Sequence, residues 1–244
     1  MNTERPRRQC AILAGGKGTR MLPMTESLPK SLLPVGGRPF IDHQLAWLAS
    51  EVITDVLCSI GYLGEMIRRH VGSGGPWGLR VDYADEGSRP LGTAGALRLA
   101  SSRGMLDEAF AALYGDSFLR VSIPGLWNSF LQSGAPAMMT VLRNQDQWDR
   151  SNTIFESGRV ILYDKGARSP RMQYVDYGIS VLTRGLIERG VPENEPADLA
   201  PLLTRLSREG RLAGYEVFDR FYEIGSPAGL RELEAYLSAR EGCR

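Results

Sequence analysis

Three glycines, Gly15, Gly16 and Gly18, follow directly on the apolar run QCAILA (9–14). Residues without a Cβ let the chain turn tightly and aim several backbone N–H groups at one point, and such a concavity binds phosphate oxygens. Thr19 adds a hydroxyl, and Arg20 adds a planar fork of donors matched to phosphate. Lys30, after the turn-forming Pro29, adds a point charge from the far side of the loop. These residue types in this order fit the holding of a phosphate chain.

Two common phosphate loops do not fit. A nucleoside-triphosphate P-loop ends in Gly-Lys-Ser/Thr, and that ending is missing. A dinucleotide fingerprint needs a third glycine where Met21 stands, and an acidic residue at the end of the second strand, which is also missing. Other chemistries have little material. The only histidines are His43 and His70, so a zinc site or a Ser-His-Asp arrangement has almost nothing to work with. Cys10 and Cys58 sit in apolar runs and Cys243 in the tail, which reads as buried or tail thiols. That leaves carboxylates, Lys, Arg and a hard metal ion.

The elements around the loop alternate. Apolar runs of strand length occupy 9–14, 54–60, 79–84, 110–115 and 137–143, with helical stretches at 39–52, 64–71, 93–102 and 122–133. In the first helix Phe40, Ile41, Leu45, Leu48, Ala49 and Val52 form one stripe. Such alternation implies an α/β protein with a mostly parallel central sheet covered on both faces. The second half changes character. Residues 152–164 read as a hairpin turning at Ser157-Gly158, 174–182 and 214–218 as strands, 197–209 as a helix and 227–240 as a closing helix. A chain of 244 residues fits one catalytic domain, 1–244. It reads as a first half over about 9–120, a second half over about 121–226, and a closing helix and tail at 227–244, with no hexapeptide repeat of a C-terminal β-helix. The net charge of +1 argues against a nucleic-acid-coating surface. No apolar run approaches membrane-spanning length, and the first residues have no signal-type stretch, so a cytoplasmic protein without a membrane partner is expected. The β-rich excursion leaves room for a homo-oligomer.

The string GGKGTRMLPMTESLPKSLLPV (15–35) resembles the sugar-1-phosphate nucleotidyltransferases, whose pattern is GGxGTRL-P-T followed by PKP-L-P-V. The match consists of Gly15, Gly16, Gly18, Thr19, Arg20, Pro23, Thr25, Pro29, Lys30, Leu33, Pro34 and Val35. Ser31 stands where the family usually has proline. The layout is closest to the heptose 1-phosphate guanylyltransferases and the muramate 1-phosphate uridylyltransferases. The resemblance implies a Rossmann-like three-layer αβα fold with a β-rich excursion forming the sugar side of the cleft, an NTP-binding half over about 9–120, a sugar-phosphate-binding half over about 121–226, and a set of further stations. The nucleotide would be held by Leu13, Ala14, Gly15, Gly16, Gly18, Thr19 and Arg20, by Glu86 and Pro90, and by Gly92, Thr93 and Ala94 of the loop LGTAGAL (91–97). Asp116, in YGDS, matches the family's metal-binding carboxylate. Glu223, in YEIGSP, stands where the second metal ligand is commonly Asp. The sugar phosphate would be held by Lys165, with Asn152, Asp164, Asp176, Tyr177 and Gly178 lining the sugar pocket.

The implied reaction is Mg²⁺-assisted, in-line attack of a sugar 1-phosphate on the α-phosphorus of an NTP, GTP being the first choice of base. Arg20, Lys30 and Asp116 would be its catalytic residues. The alternatives are UTP- or CTP-dependent transfer, transfer to a non-sugar phosphate or phosphonate, and a catalytically silent nucleotide-sugar sensor. The last would be expected to lose Arg20, Lys30 or Asp116, and all three are present.

Overall fold

A computed structural model describes residues 8–241. Cys243, read above as a tail thiol, lies outside them. The described chain divides into two compact units, one of 8–90, 114–119 and 221–241, the other of 91–113 and 120–220. The division therefore departs from a cut near residue 120. Residues 91–113 group with the second unit, and the closing helix groups with the first.

The first unit is built on three parallel strands, Gln9–Leu13, Asp55–Ile60 and Arg80–Asp85. Asp55–Ile60 lies in the middle, with Gln9 opposite Asp55 and Asp55 opposite Arg80. A central parallel strand is covered on both faces, which is why VLCSI carries no alternation and all six residues of this strand are buried. Helix Phe40–Ser50 follows Pro39, whose missing N–H costs nothing at a helix start. Phe40, Ile41, Leu45 and Leu48 of the expected stripe are buried. Val52 is not part of it: the helix stops at Ser50, and Val52 turns the chain with φ +64° and is 40% exposed.

Two short elements escaped the periodicity. Ser117–Phe118 and Tyr222–Glu223 form an antiparallel ladder, Phe118 opposite Tyr222 and Ser117 opposite Glu223. Its outer face packs on a cluster of Val35, Phe40, Ile224 and Leu233, where Tyr222 stacks on Tyr236 of helix Pro227–Glu241 at 4.6 Å. This cluster ties the chain's late segment to its first helix.

The second unit carries a mixed sheet in the order Ala109–Tyr114, Tyr174–Thr183, Ala137–Arg143, Leu212–Val217, Arg159–Tyr163, Thr153–Glu156. Parallel pairing occurs in it between Ala137–Arg143 and Leu212–Val217, and the other neighbours are antiparallel. The mostly parallel sheet expected from the alternation thus describes the first unit. The hairpin turns at Ser157 and Gly158, φ +48° and +79°, the two left-handed residues that a tight two-residue β-turn demands. Among the described residues no helix is long and apolar enough to cross a membrane.

Phe40 is fully buried in the cluster. Phe40→Ala is expected to cost about 3–5 kcal/mol of stability, read by urea unfolding. A cost below about 1 kcal/mol would show that the cluster collapses around the loss or holds little.

Candidate active site

The glycine loop leaves the first strand at its C-terminal end, the edge at which open α/β sheets place their ligands. Glycine is required here for reasons of space. A Cβ on Gly15 would lie 2.0 Å from Glu86 Oε1, and one on Gly61 would lie 3.1 Å from the Gly15 carbonyl oxygen. The ends of all three parallel strands therefore converge on Gly15, and Glu86 is brought to the loop. Gly18 adopts the left-handed conformation, φ +62° and ψ +36°. Its carbonyl accepts a hydrogen bond from the buried Thr25 hydroxyl at 3.0 Å, which closes the loop. A Cβ at Gly18 would press on Lys30 Cβ at 3.2 Å, so the loop and the lysine segment are in contact.

Lys30 opens a single turn of 3₁₀-helix, Lys30–Leu32, after Pro29. Its ammonium donates to Asp116 Oδ2 at 2.6 Å, with both side chains about one-fifth exposed. Asp116 lies in a tight turn after strand Ala109–Tyr114. Gly115 before it is wedged against the start of the glycine loop: its N–H donates to Leu13 O at 3.1 Å, and a Cβ would meet that oxygen at 2.5 Å. The Asp116 carbonyl accepts from Ile224 N–H at 3.0 Å, extending the short ladder that carries Glu223. Arg20 completes the group. A Cβ built on Gly225 would lie 3.1 Å from Arg20 Nη2 and 3.5 Å from Asp116 Oδ2, so the guanidinium and the carboxylate flank this glycine. Arg20, Lys30, Asp116 and Glu223, separated by up to some 200 residues of sequence, are thus assembled in the first unit.

No group of three or more His, Cys, Asp and Glu side chains that could hold a metal ion exists among the described residues. Asp116, in the turn before one strand of the short ladder, and Glu223, on the other strand, are a different donor set, the one or two carboxylates that Mg²⁺ takes when substrate phosphates and water complete its shell. Cys10 and Cys58 are fully buried, and burial pushes both thiols far up, Cys58 to about 12, so neither is a nucleophile.

In the second unit the expected residues divide. Gly92, Thr93 and Ala94 open helix Gly92–Ser102. Their small size serves segment 195–199. The N–H groups of Ala94 and Gly95 donate to Ala197 O at 2.9 and 3.0 Å, Thr93 N–H and hydroxyl reach Asp198 Oδ1, and Leu199 N–H donates to the Thr93 hydroxyl at 2.8 Å. A Cβ at Gly92 would meet Ala197 O at 2.7 Å. The first N–H groups of this helix are therefore engaged within the chain.

Asn152, Asp176 and Gly178 do form one network. Asn152 Oδ1 accepts from Asp176 N–H at 3.2 Å, and Asp176 accepts from the Tyr163 hydroxyl at 3.2 Å and from Gly178 N–H at 3.1 Å. A bulge between Asp176 and Ser180 breaks the register there, and Gly178 takes φ +109°. Tyr177 is a correction. It is fully buried, and its hydroxyl accepts from Arg120 N–H at 3.0 Å, so it is a core anchor and presents nothing to a sugar. Asp164 has a structural task of its own. Oδ1 accepts from Gly166 and Ala167 N–H, and Oδ2 pairs with Arg208 at 2.7 Å. These bonds, the Gly166 N–H first, hold its carboxyl below the usual carboxylate range. Asp164 thus fixes the turn that carries Lys165. Lys165 stands on the rim of a cavity of about 500 Å³ together with Arg205 and Arg208. Arg208 had no signal in the sequence, because its partner lies 44 residues away.

With this geometry in view the comparisons with known proteins decide the family. The nucleotidyl transferase family model matches residues 10–223. The chain belongs to the nucleotidyl transferase family. A glucose-1-phosphate thymidylyltransferase of Streptomyces antibioticus is 30% identical over 179 residues, 72% of this chain and 50% of that protein. The chain thus spans about half the length of that relative. A D-glycero-alpha-D-manno-heptose 1-phosphate guanylyltransferase of Aneurinibacillus thermoaerophilus is 25% identical over 94% of this chain and 98% of its own length. Among solved structures, HddC of Yersinia pseudotuberculosis complexed with GMP-PN superposes with a TM-score of 0.77 at 21% identity, covering 94% of this chain and 99% of that one. This likeness shows the Rossmann-like α/β fold of the family.

Two outcomes follow from this packing. On the nucleotide-binding reading proposed below, Gly15→Ala is expected to displace the Glu86 carboxylate and raise the KM for the nucleotide at least several-fold, and an unchanged KM would remove Glu86 and Gly15 from the nucleotide's surroundings. Thr93→Val removes the hydroxyl that caps Leu199 and is expected to cost about 1–3 kcal/mol in urea unfolding. No loss of stability would contradict the packing role given to LGTAGAL.

Proposed function

We propose that this chain transfers a nucleotidyl group from an NTP to a sugar 1-phosphate and releases pyrophosphate. The observation that carries the reading is the contact of Lys30 with Asp116 at 2.6 Å beside Arg20 and the glycine loop. It is a set of cations around a carboxylate, at the ligand edge of a parallel sheet, with no cysteine or histidine among its members. An oxygen of the sugar 1-phosphate attacks the α-phosphorus. The bond from that phosphorus to the oxygen bridging to the β-phosphate breaks in line, and that electron pair leaves with pyrophosphate. No proton has to move, because the attacking phosphate is already an anion.

The protein's work is then positioning and charge stabilisation, as in phosphoryl transfer generally. Lys30 neutralises the α-phosphate as it becomes five-coordinate, and Arg20 neutralises the β- and γ-phosphates and the leaving pyrophosphate. Backbone N–H groups of 15–18 cradle the triphosphate. Mg²⁺, which Asp116 and Glu223 would hold, supplies orientation and charge neutralisation for the phosphates when bound. In the second unit, Lys165 binds the acceptor phosphate, and the Asn152–Asp176 network lines the sugar. GTP is the first-choice base, in keeping with the guanylyl relative that the chain matches over nearly its whole length. We place the reaction in the cytoplasm, on small phosphorylated substrates.

Pyrophosphate release over GTP, UTP, CTP, dTTP and ATP, each crossed with a panel of sugar 1-phosphates in the presence of Mg²⁺, tests the reading. Release is expected with GTP and a heptose or mannose 1-phosphate. Silence across the whole grid would overturn the enzyme and favour a nucleotide-sugar sensor. Lys30→Ala and Asp116→Asn are each expected to lose roughly 10²–10³ in kcat while remaining folded, and near-wild-type turnover in either would remove that residue from the machinery.

A further inference from the structure

Gln44 is a polar residue in the middle of the apolar stripe of helix Phe40–Ser50 and is 1% exposed. Its Nε2 donates two hydrogen bonds, to Tyr114 O at 3.0 Å and to Ser117 O at 2.9 Å. Those two carbonyls bracket Gly115 and Asp116. One amide therefore grips both ends of the two-residue turn from which the Asp116 carboxylate projects. The other end of the same amide has no such use: Gln44 Oε1 is buried and finds no hydrogen-bond partner. A buried acceptor left unpaired costs about 1–3 kcal/mol. An apolar residue at 44 would avoid that cost, so the two donors are what the side chain contributes.

The rest of the turn is held through backbone. Gly115 N–H donates to Leu13 O, and Asp116 O accepts from Ile224 N–H. These two bonds set the height of the turn against the glycine loop and against the Tyr222–Glu223 strand. The ladder of Ser117 with Glu223 holds the far side of the turn, and Gln44 adds a side-chain clamp across the Tyr114 and Ser117 carbonyls. A tilt there moves Asp116 Oδ2 away from Lys30, whose contact at 2.6 Å has no slack. An active-site group displaced by about 1 Å commonly costs 10²-fold in rate.

We infer that Gln44 is a positioning residue of the transfer reaction, acting through the Gly115–Asp116 turn without touching substrate. The inference rests on the catalytic reading of Asp116 given above. Its test is a double-mutant cycle of Gln44→Met, which keeps the length of the side chain and removes both donors, with Asp116→Asn, in the full chain. Folding is followed by circular dichroism and thermal midpoint. Gln44→Met is expected to lower kcat at least tenfold, with the KM of both substrates within twofold of wild type. The double mutant is expected to be no slower than Asp116→Asn alone, because a residue that works through Asp116 has nothing left to position.

Independent, multiplicative losses would overturn the inference, as would a Gln44→Met enzyme within twofold of wild type in kcat. Gln44→Leu, an apolar side chain that also lacks both donors, takes the place of Gln44→Met should the latter fail to fold. The two readings fail separately. Full activity in Asp116→Asn defeats the catalytic assignment itself, whereas loss in Asp116→Asn beside an undisturbed Gln44→Met defeats only the role of Gln44.

Discussion

The contact between Lys30 and Asp116 is the constraint on which the first unit depends. The two residues lie 86 positions apart, and the contact exists because several local choices agree. Gly18 turns left-handed, Thr25 closes the loop on its carbonyl, and Pro29 starts the short 3₁₀ turn that aims Lys30. From the other side Gly115 fits against Leu13 O where no Cβ could, and Ile224 pairs with the Asp116 carbonyl. Each step is a matter of backbone freedom or hydrogen-bond satisfaction. Together they deliver a cation and an anion at 2.6 Å where both are only partly solvated, and there the interaction is stronger than on an open surface.

The second unit solves a different problem. Its polar residues are occupied with one another: Thr93 with Asp198 and Leu199, Asp164 with Arg208 and two N–H groups, and Asp176 with Tyr163 and Gly178. Such satisfied networks rigidify loops that carry few apolar side chains. The bulge at Asp176–Ser180 breaks the register of the long strand Tyr174–Thr183, and it comes at the residues proposed to line the sugar. The two units thus differ in how they hold their functional residues, one by glycine-enabled close approach and the other by side-chain networks.

Much of this was legible in the residues, and the limits have physical causes. The loop 15–18, Lys30, Asp116 and Glu223 could be read because an ordered string of glycines, prolines and charges has few structural alternatives. The strand–helix alternation located the parallel core for the same reason. Tyr177 and Asp164 could not be assigned from type alone. Strand alternation around a bulge buries Tyr177, and a carboxylate two and three residues before open N–H groups turns back on them. The ladder of Ser117–Phe118 with Tyr222–Glu223 is two residues long, too short for any periodicity, and it is what brings Glu223 to Asp116. Gln44 had no signal in the sequence, because its purpose depends on two carbonyls some 70 positions away.

The central claim is a direct displacement at the α-phosphorus, organised by Lys30, Arg20 and Asp116 with no covalent enzyme intermediate. The stereochemical course tests it most directly. An NTP made chiral at the α-phosphorus by a single sulfur is turned over with the accepted sugar 1-phosphate, and the configuration of the nucleotide-sugar product is read by ³¹P NMR. One in-line attack predicts inversion. Retention would require two successive displacements through a nucleotidylated side chain, and would contradict the account.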